Sequence, residues 1–124
     1  ARIWRGLKLL PSKRIMRQAL LIAAALPLLA VDVTKLKPQG YVSDFANVVD
    51  ARWKPRIEES LAKLEQTTGA QVAVVTIRSL EGDSIEDVAN KLYNQWGIGK
   101  KGKDEGALVL FAIEDRRSRI ENGY

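Results

Sequence analysis

Four acidic side chains stand where loops are expected: Asp44, Asp104, Glu105 and Asp115. They are the residues best suited to chemistry, because the 124-residue chain has no cysteine and no histidine. That composition excludes Ser-His-Asp and Cys-His catalysis, disulfide frameworks and the usual zinc sites. A metal bound here would be a hard cation held by oxygen ligands. Taken from spacing alone, the four acids read as ordinary solvated loop carboxylates.

A second string with chemical potential is Gly97-Ile98-Gly99-Lys100-Lys101-Gly102. It matches G-x-G-x-x-G, which in dinucleotide folds follows a strand and opens a helix. Here the order is reversed, with a helix ending and a strand beginning. The string therefore reads as a helix stop and a flexible loop. Lys100, Lys101 and Lys103 could attract an anion only as a solvated cluster.

The elements that would position these residues follow from periodicity. Residues 31–40 read as a linker without period. From Asp50, a candidate cap, a helix extends to about Thr67, with Ile57, Leu61 and Leu64 on one face. Pro55 predicts a loose first turn, and Gly69 is the stop. Residues 70–80 form a strand whose nearly continuous β-branched run, Val72 to Ile77, is that of a strand covered on both faces. A second helix covers about Ser84 to Trp96. Ser84 and Asp87 resemble a capping box, and Ile85, Val88, Ala89, Leu92, Tyr93 and Trp96 share one face. Ala107 to Ile113 is a second buried strand, reached by a right-handed crossover and so parallel to the first. Glu114 to Arg117 is a turn, and Ser118 to Tyr124 returns antiparallel. The expected fold class is α/β: a mixed β-sheet with a parallel β-α-β crossover and helices packed on it.

The net charge of +5 is not spread evenly. Residues 1–30 hold six basic side chains and no acid, while the other 94 hold 14 basic and 15 acidic ones. The high pI therefore reports the N-terminal segment and not a nucleic-acid face. That segment runs into an apolar block, Ala19 to Val31. It is 13 residues long, short of the roughly 20 a transmembrane helix needs and suited to a signal-peptide core. Ala30 offers a small residue for cleavage, although Leu28 at the −3 position is unusual. Export to a periplasmic or extracytoplasmic face is expected. The chain divides into residues 1–30 (export segment), 31–40 (linker) and 41–124 (domain).

Four stretches, in order, resemble the TPM domain family. They are Tyr41-Val42-Ser43-Asp44-Phe45-Ala46-Asn47-Val48-Val49, residues 65–75, the stretch from Asn94 through Trp96-Gly97-Ile98-Gly99 to Lys103-Asp104-Glu105-Gly106, and Arg119-Ile120-Glu121-Asn122-Gly123-Tyr124. The resemblance covers about residues 40–124. It implies an αβα sandwich facing a non-cytoplasmic compartment. It also implies a divalent cation, usually Ca2+ and otherwise a cation such as Mg2+, held by loop acids. Carried over by position, those acids are Asp44 and Asp104. The expected order of elements brings these two together at one end of the parallel strands and sends Asp115 to the other. The function implied is an exported, membrane-associated accessory module that supports assembly or turnover of a membrane-protein complex. The alternative is a metal-dependent phosphomonoesterase using Asp44 with Arg116 or Arg119. The last motif stops partway and Asn122 replaces an apolar residue, so the sandwich is expected to be incomplete.

Overall fold

The β-branched run of residues 72–77 becomes the interior of a sheet. A computed structural model describes residues 31–99 and 105–123. In it β2 (Gln71–Ile77) lies between β1 (Val42–Asp44) and β3 (Gly106–Ala112), parallel to both. β4 (Arg117–Asn122) continues the order β1-β2-β3-β4 and is antiparallel to β3. The mixed sheet and the parallel β2–β3 pair agree with the sequence reading. β1 is the strand that reading missed. At three residues it is too short to show a period of two.

Helix α1 spans Lys54–Thr68 and α2 spans Ile85–Gln95. α2 forms as its pattern dictates. The Ser84 hydroxyl accepts from the Asp87 amide at 3.1 Å, and Glu86 and Asp87 occupy the positive end of the helix dipole. Its buried face, Ile85, Val88, Ala89, Leu92 and Tyr93, lies over Ala73, Val75 and Ile77 of β2 and Leu108, Leu110 and Ala112 of β3. Leu92, Leu108 and Leu110 are fully buried. Each contributes roughly 1.5–3 kcal/mol by leaving water.

α1 differs from expectation at its start. Asp50 does not cap it: the residue before the helix is Trp53, which makes no side-chain cap. Asp50 instead accepts from the Arg52 amide and guanidinium within the preceding turns. Pro55 falls in the first turn, where a missing N–H costs no helical hydrogen bond. Gly69 at φ +79 ends the helix in the left-handed region, as expected.

The two faces of the sheet are covered differently. Residues 31–40 are not a free linker. Val33 is buried, a short 3-10 turn spans Val33–Lys35, and the indole N–H of Trp96 donates to the Leu36 carbonyl at 3.1 Å. This strap lies with α2 on the face of Ser43, Val75 and Leu110. Phe45 and Trp96 meet edge to face there, with centroids 6.3 Å apart. α1 rests against β1 and β2, and none of its side chains joins the α2 cluster. By strand alternation it covers the opposite face, where Val42 is wholly buried. On that same face the β3–β4 half is open: Phe111 is 39% exposed and Ile120 66%.

Candidate functional site at the C-terminal ends of the parallel strands

Asp44 is the last residue of β1, opposite Thr76 of β2. Both side chains lie on the α1 face. One carboxylate oxygen of Asp44 accepts from the Val48 amide at 3.0 Å and from the Thr76 hydroxyl. The other accepts from the Val49 amide at 2.9 Å. The Thr76 oxygen in turn accepts from the Ala46 amide at 3.1 Å. A short polar chain thus ties the β1 terminus, the loop after it and β2. Within the loop Asn47 sits at φ +55, in the left-handed region that asparagine tolerates better than most residues.

These bonds also set the charge of Asp44. Burial, the largest single influence, pushes its carboxyl up. The Thr76 hydroxyl, the Val48 and Val49 amides and the nearby Lys54 together outweigh burial and hold it below the ordinary value. Asp44 is therefore an ionised, oriented carboxylate at neutral pH. A carboxylate offers about four lone-pair directions and three are taken, so one remains for a single ligand.

The expected partner, Asp104, lies outside the described residues. The first residue of β3, Gly106, pairs with Gln71, whereas Asp44 is level with Thr76 and Phe111. Five residues separate those levels along β2, about 17 Å at 3.3–3.4 Å per residue. The end shared with Asp44 is instead that of Asp115, whose carboxylate accepts from the Leu80 amide at 2.8 Å. The expectation that Asp115 lies at the end opposite Asp44 is thus corrected. It omitted β1, and only the β1–β2 register reveals that Asp44 closes a strand. Among the described residues no three acids converge as a metal cage would require. The described residues thus fit a cation only in part, through the Asp44 carboxylate.

Arg119, one of the expected phosphate clamps, is level with Leu110 and so lies on the α2 face, away from Asp44. It pairs with Glu121 at 3.3 Å. Arg116 stands in the turn after β3 at φ +54. Sequence reasoning also missed Glu58, the acid with the clearest structural task. Its two oxygens accept from the amides of Tyr41 and Val42, at 3.0 and 2.7 Å, and dock α1 onto the outer edge of β1. Only the position of Glu58 outside the apolar stripe of α1 hinted that it was available.

At the opposite end of the sheet is a cavity of about 380 Å³, lined in part by Gln71, Tyr93, Gly99, Gly106 and Asn122. Here the G-x-G string finds its use. The Gly99 amide donates to the Gln71 side chain at 2.9 Å, and a Cβ on Gly106 would stand 2.7 Å from the Gly99 backbone. Gly99 is there for close packing against Gly106, while Gly97, at φ +63, serves as the helix stop that the reversed order of elements suggested.

The TPM domain family model matches residues 42–124, from β1 through β4. The chain belongs to the TPM domain family. A similar solved structure is the solution NMR structure of the N-terminal domain of a protein from P. gingivalis. It is 28% identical, with a TM-score of 0.62, and the match covers 79% of this chain and 62% of that one. The TPM chain thus spans less than two thirds of that relative's length. No curated protein matches it.

Proposed function

We propose that this TPM domain chain is an exported, membrane-associated accessory module that binds a divalent cation and supports assembly or turnover of a membrane-protein complex. The cation-binding part rests on one observation: Asp44 is held ionised at the strand ends with a lone-pair direction still open. Calcium takes 6–8 oxygens, so backbone carbonyls and water would complete the shell, and a site this poor in charge would bind at about 10⁻⁴–10⁻³ M. Export is supported by the six basic residues that precede the apolar Ala19–Val31 block. Among the described residues no helix is long and apolar enough to cross a membrane.

Calorimetric titration of the full chain with calcium tests the site. Asp44→Asn should abolish the heat. Asp104→Asn and Asp115→Asn then identify which second acid contributes. Binding unchanged in Asp44→Asn would remove the site. Export is tested by a reporter active only outside the cytoplasm, fused after Tyr124. Arginine at positions 21 and 26 should silence it, since a charge in an inserting segment costs about 2.5–3.5 kcal/mol. A silent parent fusion would overturn export.

A further inference from the structure

The loop after β1 carries an exposed surface that the fold does not use. Trp53 is 55% exposed and Val48 51%. Tryptophan is on average among the more buried residues, so such exposure calls for a reason. The Arg56 guanidinium lies over the Trp53 ring at 5.2 Å. Lys54 stands between them in sequence, and Arg52 is tied to Asp50 at 3.1 Å. Residues 48–56 thus hold three cations and one acid, and no acid occupies the first turn of α1. The acids Glu81, Asp83, Glu114 and Asp115 at this end of the sheet follow β2 and β3. Asp50 is the exposed acid within the patch, tied to Arg52, and Glu59, one turn into α1, is the next exposed acid after it.

A second observation concerns where the domain joins the preceding chain. Val31, the first described residue, borders a surface cavity with Phe45, Ile77, Arg78 and Glu114, at the C-terminal ends of β1, β2 and β3. The loop bearing Val48 and Trp53 leaves β1 at that same end. The residues before Val31 carry the apolar block and its six cations.

We infer that Val48, Trp53, Lys54 and Arg56 form a face that docks on an anionic phospholipid surface, with the Trp53 ring at headgroup depth. The inference rests on the membrane-associated reading above and names the face that meets the membrane. Indole suits the headgroup layer because its ring is apolar and its N–H polar, and the flanking cations are drawn to anionic lipid. The stems of Lys54 and Arg56 can lie along apolar surface while their charges stay in water.

The test uses the full chain with vesicles of brominated phosphatidylglycerol or brominated phosphatidylcholine. The difference in emission between the parent and Trp53→Phe isolates the Trp53 signal. Far-UV circular dichroism checks that the variant folds. On the anionic vesicles that signal should shift to the blue and be quenched about twofold or more, as expected for a ring at the headgroup layer. Lys54→Glu with Arg56→Glu, or high salt, should reverse the quenching. A chain that sediments with anionic vesicles while its Trp53 emission stays unquenched overturns the face and leaves membrane association standing. Equal quenching on the neutral vesicles overturns the anionic preference. A chain that sediments with neither vesicle overturns both the face and the reading beneath it.

Discussion

Asp44 shows how one side chain can tie a strand end, the loop after it and the neighbouring strand. Its carboxylate satisfies two backbone amides and the Thr76 hydroxyl, and those bonds keep it ionised. Its folded carboxyl lies below the ordinary value of 3.8. The stabilisation it gives is therefore complete above about pH 5 and is lost as pH falls through the lowered folded value. Asp44→Asn should cost about 1–3 kcal/mol at neutral pH, because at least one amide or the hydroxyl loses its acceptor. The cost should shrink towards zero in acid. Denaturant unfolding of parent and variant across the acid range measures this. Asp32 and Asp50 are lowered too, by hydrogen bonds from Thr34 and Arg52, and cancel in the difference. A penalty that stays constant with pH would contradict the assignment.

At the scale of elements, the two helices form for different reasons. α2 has a side-chain cap and a buried apolar stripe, so sequence alone locates it to within a residue. α1 has neither a side-chain cap nor a fully buried residue, and is held by Glu58 to the β1 backbone. Where α2 hands over to β3, Gly99 and Gly106 touch backbone to backbone, and Gly99 lies at φ +74. Gly106→Ala places a methyl 2.7 Å from main-chain atoms that cannot rotate away. It should destabilise the domain by about 1–3 kcal/mol through overpacking, read as a lower denaturant midpoint at unchanged slope. A neutral effect would show that the helix end shifts freely.

For the molecule as a whole, the uneven covering of the sheet matters most. One face lies under α2 and the 31–40 strap, while on the other α1 reaches only β1 and β2. Ile120 and Phe111 remain open on the β3–β4 half. Contiguous apolar surface of that kind promotes association. Ile120→Lys should leave unfolding free energy within about 0.5 kcal/mol of the parent, as for a surface position. It should also lower self-association in sedimentation velocity. A large loss of stability would mean that Ile120 packs within this chain after all.

The sequence by itself determined the α/β class, the boundaries of α2, the parallel β2–β3 pair, the antiparallel return and the four stretches that resemble the TPM family. Those features are local or periodic: a β-branched run, a 3.6-residue stripe, a cap and two glycine stops each act over a few residues. Only the tertiary structure decided that Tyr41 to Asp44 leads into a strand, that Asp44 closes it beside Thr76, and that Glu58 secures its edge. A three-residue strand carries no period, and its existence depends on amides finding acceptors 16 to 31 residues away in β2 and α1. The register of β1 on β2 in turn set which acids share an end of the sheet. Order along the chain could not supply that, because parallel strands bring together residues that follow them and hold apart residues that follow one strand and precede the next.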